Sequence, residues 1–240
     1  MELVVELEPV KSREKLEKRI KLLAEVADWI DVPDSPLGTT RFFSPIVSCF
    51  IKAVEERIGV ISHIRLLDLN KLAFESMINT LSLCEVERVV PLRGDLVSGY
   101  KVVEELNPEE AVSLIKKSAH KLSPGLLLSL SKPLEEIERR LRVPADFYLV
   151  LNFRLEESEK FKAVSERAKT EGKALYPYVI VVKEEGGSRI PKELVPKALT
   201  KERVLEVIEY MSNNADGVLL SSPGDFALLL DVAKELRRRL

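Results

Sequence analysis

Arg93-Gly94-Asp95 sets a cation and a carboxylate on either side of a glycine, just where the apolar run Val89-Val90 ends. A strand emerging there could hold a flat, polar ligand against backbone and charge together. Glu6 is a second candidate. Period-two alternation puts Glu2, Val4, Glu6 and Glu8 on one face and Leu3, Val5 and Leu7 on the other. With the apolar set facing packed helices, Glu6 projects inward, where desolvation raises its pKa and makes it a usable general acid. The competing reading is a structural ion pair between Glu6 and Arg65 or Arg93. His63 is a third candidate, either a chemical group or a hydrogen-bonded core residue. The other histidine, His120, falls on an exposed helix face, so no metal site is expected.

Other polar residues stand at strand ends: Glu8, Asp31, Asp34, Arg65, Asp68, Ser129, Ser131, Asn152, Tyr176 or Tyr178, Ser221 and Ser222. No Ser-His-Asp or Cys-His order with suitable placement supports a hydrolase. No Gly-rich loop of Rossmann or Walker type is present. Ser222-Pro223-Gly224-Asp225-Phe226 leads into the last helix and reads either as a phosphate-binding helix N-terminus or as a plain turn.

The elements that must position these residues alternate along the chain. Strand signals cover residues 3–7, 29–32, 60–67, 88–92, 125–129, 146–152, 174–182 and 217–220. Helical patterns cover residues 12–26, 45–58, 71–83, 108–120, 133–141, 156–169, 201–211 and 226–239. Ser44 is a plausible N-cap with Pro45 behind it, and Asn107-Pro108-Glu109-Glu110 is a strong helix start. Repeated β-then-α units without a composition break predict one (β/α)8 TIM barrel spanning residues 1–240, with an open doubly wound sheet as the competitor. Residues 184–200, with Gly186-Gly187 and several prolines, form the longest connection and the expected mobile excursion.

Composition narrows the function classes. Lys+Arg 37 against Asp+Glu 39 gives no basic field for nucleic acid. No apolar run approaches the roughly 20 residues that span a bilayer, and the N-terminus lacks signal-peptide character. Cys49 and Cys84, the two cysteines, are expected to be reduced core thiols of a cytoplasmic protein. The absence of glutamine and the 32% of charged residues suggest a thermophilic source.

Val5-Glu6-Leu7-Glu8-Pro9, Asp34-Ser35-Pro36-Leu37-Gly38 with Ser44-Pro45, His63 followed by Asp68, and Leu92-Arg93-Gly94-Asp95 together resemble the methylenetetrahydrofolate reductases. The likeness covers about residues 1–100. Beyond it lie only Ala145-Asp146-Phe147 and Ile190-Pro191 with Leu194. The resemblance implies a (β/α)8 barrel in one-carbon metabolism and methionine biosynthesis, in a divergent, archaeal or thermophilic member. It implies hydride transfer from NAD(P)H, usually through bound FAD, to the methylene carbon of a reduced pterin. Glu6 falls on the family's general acid and Asp95 on the aspartate near the flavin. His63, Arg93 and Gly94 fall on flavin-contacting positions.

Several positions depart from that pattern. Leu128-Ser129-Leu130-Ser131-Lys132-Pro133 replaces the flavin segment after strand five, and Arg140 stands for a helix-five lysine. Asn152 stands where a substrate-binding glutamine is expected, and Ser222-Pro223-Gly224 replaces an Asn-Arg. The expected cofactor is therefore FAD, or else a nicotinamide or deazaflavin that gives hydride directly. The expected partners are a reduced pterin and NAD(P)H, with a homo-oligomer or a partner subunit also open. The alternative function is a non-catalytic pterin- or partner-binding subunit in methyl-group transfer.

Overall fold

The computed structural model describes residues 1–118, 121–184 and 198–239. His120, Gly186-Gly187, Ile190-Pro191 and Leu194 lie outside the described residues. The strands are β1 (Glu2–Glu6), β2 (Trp29–Val32), β3 (Gly59–Arg65), β4 (Arg88–Leu92), β5 (Ser123–Ser129), β6 (Phe147–Leu151), β7 (Ala174–Val182), β8 (Ala198–Thr200) and β9 (Gly217–Ser221). The helices are α1 (Arg13–Ala24), α2 (Ser44–Val54), α3 (Lys71–Leu83), α4 (Pro108–Lys117), α5 (Leu134–Leu141), α6 (Ser158–Thr170), α7 (Lys201–Met211) and α8 (Phe226–Arg239). All strand pairings are parallel, and the neighbours β1-β2-β3-β4-β5-β6-β7-β9 return to β1. Eight strands thus close a (β/α)8 barrel, and the open sheet is excluded. The unexpected β8 is the end of the long connection. It pairs with residues 180–182 on the edge of β7 that β6 leaves after Pro177.

Local signals explain most helix starts. The Asn107 side chain accepts from Glu110 N while Glu110 reaches back to Asn107 N, a closed capping box. Ser12 and Asn70 cap α1 and α3 with the single bond, accepting from Lys15 N and Ala73 N. Ser44 does not cap α2, contrary to expectation, and Phe43 stands at the cap position. The Ser44 hydroxyl turns inward instead, donating to the Val32 carbonyl at 2.8 Å and lying 3.2 Å from Ser62 Oγ. It fixes the start of α2 against β2 and β3.

Leu3, Val5 and Leu7 face the helices and are fully buried, so the opposite face of β1 lines the lumen. The lumen is filled in levels. At the N-terminal end the Arg88 guanidinium lies 3.6 Å from the Trp29 ring centre, with Phe147 and Tyr176 at 5.3 and 5.1 Å. Arg88 Nη1 donates to Glu2 Oε2 at 3.2 Å, and the Tyr176 hydroxyl donates to the same oxygen at 2.5 Å. Glycines on neighbouring strands make room for these rings. A Cβ would stand 2.3 Å from Trp29 at Gly59, 2.3 Å from Phe147 at Gly125 and 2.6 Å from Tyr176 at Gly217. Above them Val4, Ile61, Val90, Leu149 and Leu219 form an apolar level. The bottom is therefore sealed, leaving the C-terminal end for a ligand. Arg88→Ala should cost roughly 2 kcal/mol through lost ring contacts and an unpaired Glu2. Urea unfolding checks it, and an unchanged midpoint would remove Arg88 from the barrel's support.

Cys49 on α2 and Cys84 at the end of α3 are joined as a disulfide, with Cα atoms 5.2 Å apart. This corrects the expectation of reduced thiols. Their sequence separation of 35 hid a contact that exists only because α2 and α3 pack side by side. No helix among the described residues is long and apolar enough to cross a membrane.

Candidate active site

The uppermost level of the lumen is polar. Glu6 and Asp31 are Cα partners across β1 and β2, so both side chains enter side by side. From the other flank, Tyr178 on β7 donates to Glu6 Oε2 at 2.7 Å, and Ser221 on β9 donates to Glu6 Oε1 at 2.7 Å. On β3, His63 Nε2 lies 2.9 Å from Asp31 Oδ1. Asp31 is 0% exposed, and its Oδ2 has no hydrogen-bond partner. Glu6, by contrast, is partly exposed.

Burial pushes the Glu6 carboxyl up to about 7, and the nearby Asp31 charge adds to the rise. The bonds from Ser221 and Tyr178 and the nearby His63 oppose it without cancelling it. Burial works against a charged His63, yet the charge and hydrogen bond of Asp31, helped by Glu6 and Asp34, leave its pKa raised. Burial, then the Glu6 charge, drives Tyr178 well above the usual phenol range, so it stays a neutral donor. No salt bridge joins Glu6 to Arg65 or Arg93. Arg65 bonds to Asp68 and donates to the Asp95 carbonyl at 2.6 Å, while Arg93 donates to Glu104 at 3.1 Å. The ion-pair reading of Glu6 therefore fails.

Arg65 organises the neighbouring rim. Its backbone N–H donates to Asp34 Oδ2 at 3.1 Å, and its side chain lies across Gly94. Gly94 has φ +90°, and a Cβ there would stand 2.5 Å from Arg65 Cγ and Nε. The glycine of Arg93-Gly94-Asp95 is thus explained by arginine packing. Asp95 is exposed in the loop after β4. Asn152, with φ 61°, donates from Nδ2 to Ser129 Oγ at 2.7 Å, and Ser129 and Ser131 hydroxyls lie 2.8 Å apart. Strand order puts this β5–β6 cluster across the mouth from Glu6.

Other expected contacts lie elsewhere. Arg140 Nε donates to the Leu127 carbonyl at 2.7 Å and its guanidinium pairs with Glu109, between α4, β5 and α5 on the barrel's outer side. At the start of α8, Gly224 N donates to Glu8 Oε2 at 3.0 Å and Leu228 N donates to Asp225 Oδ1 at 3.1 Å. Internal carboxylates thus use the N–H groups that a phosphate would need, which favours the plain turn. Of the two tyrosines proposed for the strand-seven end, Tyr178 is at the mouth and Tyr176 at the sealed bottom. Among the described residues no group of three or more His, Cys, Asp or Glu could hold a metal ion.

As placed, the residues assigned to a flavin do not form one surface. His63 is held within the lumen by Asp31, and Asp95 and Gly94 are tied to the rim through Arg65. Arg93 is engaged by Glu104 in the exposed loop after β4, and Arg140 by Glu109 on the barrel's outer side. This set does not fit a bound FAD. The rim does carry exposed apolar side chains: Leu37 and Phe42 after β2, and Leu96 and Tyr100 after β4. The two loops touch, since Gly38 abuts Val97.

Searches of protein-family models and of curated proteins find no match for this chain. The site therefore rests on geometry. Asp31, Tyr178 and Ser221 are the participants to which sequence reasoning gave no role. Their signal was available: in Trp29-Ile30-Asp31 and Leu219-Leu220-Ser221, period-two phase puts the polar residue on the lumen face.

Proposed function

We propose that this protein is an oxidoreductase that reduces a methylene-pterin, methylenetetrahydrofolate or a modified reduced pterin, to the methyl-pterin. Glu6 is the general acid. One observation carries the reading: a carboxyl at the open end of the barrel, unpaired with any arginine, whose pKa is raised to about 7. A group with that pKa is protonated often enough to donate at neutral pH and weak enough to be re-protonated. Tyr178 and Ser221 fix its two oxygens, so the acid presents one orientation to a ligand.

Glu6 gives its proton to a ring nitrogen of the methylene bridge as that carbon–nitrogen bond breaks, leaving an iminium at the other nitrogen. A hydride then reduces the iminium carbon to methyl, and the donor leaves oxidised. Because the flavin set does not converge, the proposed donor is a reduced nicotinamide, with deazaflavin second. The apolar rim of Leu37, Phe42, Leu96 and Tyr100 suits a planar ring.

The test is anaerobic incubation of the purified protein with methylenetetrahydrofolate and reduced nicotinamide, FAD or reduced deazaflavin in separate arms. Donor oxidation matched by methyl-pterin is expected with nicotinamide and without added FAD. Pterin binding without turnover in any arm would replace the enzyme with the accessory-subunit reading, which the displaced Arg93 and Arg140 favour. A cytoplasmic location is proposed for a thermophilic source, since intracellular disulfides such as Cys49–Cys84 persist in hyperthermophiles.

A further inference from the structure

We propose that Leu92, Leu127 and Leu151 form an apolar shelf inside the barrel mouth, opposite Glu6, that takes the flat face of a fused two-ring heterocycle and so sets which ligand the site accepts. The inference rests on the mouth being the active site, as the functional reading does, and deepens it by naming where the substrate's ring lies. Closure of eight parallel strands staggers neighbours so that inward residues of alternate strands share a layer. Followed around the barrel from Glu6, the register puts His63 on β3, Leu127 on β5 and Tyr178 on β7 in one layer with it. The layer above takes Leu92 from β4, Leu151 from β6 and Ser221 from β9. Packing agrees. Leu127 lies against the lumen cluster, and Leu92 and Leu151 stand two residues beyond the lumen-facing Val90 and Leu149.

The two halves of the mouth differ in chemistry. At these two levels β7, β9, β1 and β3 bring Tyr178, Ser221, Glu6 and His63, while β4, β5 and β6, neighbours in the sheet, bring leucine alone. In the closed strand order β5 stands opposite β1, so Leu127 faces Glu6 across the lumen. Val90 and Leu149, one level down, are buried, whereas all three shelf leucines are partly exposed. The solvent boundary inside the lumen therefore runs along the shelf, and a ligand that displaces water from it gains apolar contact. Three strands about 4.8 Å apart make a surface roughly 10 Å wide, the span of two fused rings and more than a single ring covers. Each Glu6 oxygen accepts one protein bond and keeps a lone pair for a ligand N–H. The nitrogen-bearing end of the ring system thus points across the lumen to Glu6 while its apolar face rests on leucine. The exposed side chains of the outer rim then remain for the hydride donor.

The experiment follows leucine methyl resonances of the whole protein, labelled with carbon-13, as two probes are added separately. The probes are tetrahydrofolate and 2-aminoquinazoline, a flat bicycle with nitrogens along one edge. Each shelf resonance is assigned by its loss in Leu92→Met, Leu127→Met or Leu151→Met. With aminoquinazoline the Leu127 methyls and those of a flanking leucine should move upfield, the direction a ring imposes on protons over its face. Leu127→Asn should weaken binding about tenfold or more, and Leu83→Asn, at the end of α3, should leave it unchanged. Binding that leaves the leucine methyls unmoved, failure of both probes to bind, or equal affinity in Leu127→Asn would overturn the shelf. Shifted leucines with aminoquinazoline and no binding of tetrahydrofolate would refute the pterin reading and leave the shelf standing. Turnover of methylenetetrahydrofolate with unmoved leucine methyls would do the reverse.

Discussion

Glu6→Gln is expected to lower kcat/KM for methylene-pterin reduction by about 10²- to 10⁴-fold, the usual contribution of a positioned general acid. Glutamine keeps the shape and an acceptor for Tyr178 or Ser221, so the loss should fall on the proton and not on the fold. In the wild type, activity should fall as pH rises through about 7, because only protonated Glu6 can donate. Stability should move the other way in the variant. A carboxyl with pKa 4.5 when unfolded and about 7 when folded binds its proton more tightly in the native state. Ionisation then destabilises the fold progressively as pH rises across that window, by on the order of 3 kcal/mol above it. Glu6→Gln should therefore be more stable than wild type at pH 8 and equal to it at pH 4. Activity assays and urea unfolding at both pH values check the pair of effects. A variant that keeps wild-type turnover would remove Glu6 from the chemistry.

Loss of the Cys49–Cys84 disulfide should give the largest stability change. Closing a loop between residues 35 apart lowers the entropy of the unfolded chain, for a stabilisation of about 4 kcal/mol in the chain-entropy view. Cys49→Ser with Cys84→Ser should lower the unfolding free energy by that amount and the midpoint with it, and added reductant should destabilise the wild type but not the double variant. Thiol counting before and after reduction verifies the bond itself. Equal midpoints for wild type and double variant would mean that α2 and α3 hold together by packing alone.

The barrel was legible because its strands and helices follow different periods, and the eight repeats leave little choice of architecture. Trp29–Val32, Lys71–Leu83 and Ala174–Val182 fall where the pattern puts them. The inward turn of Glu6 was legible for the same reason, since Leu3, Val5 and Leu7 had to face helices. What could not be read was which strand ends meet. Asp31 and Ser221 look like ordinary strand termini until closure brings β2 and β9 to either side of β1. The resemblance makes Arg140 a site cation, but its helix holds it on the outer side with Glu109. The disulfide was hidden because contact between α2 and α3 depends on how helices pack around the barrel, which local pattern does not encode.

The central claim is tested most directly by single-turnover transfer from a nicotinamide deuterated at its reactive carbon. The account predicts a methyl-pterin carrying one deuterium, formed by the wild type without added flavin and strongly slowed in Glu6→Gln. Absence of labelled methyl product from the wild type, with unlabelled controls also inactive, would contradict it.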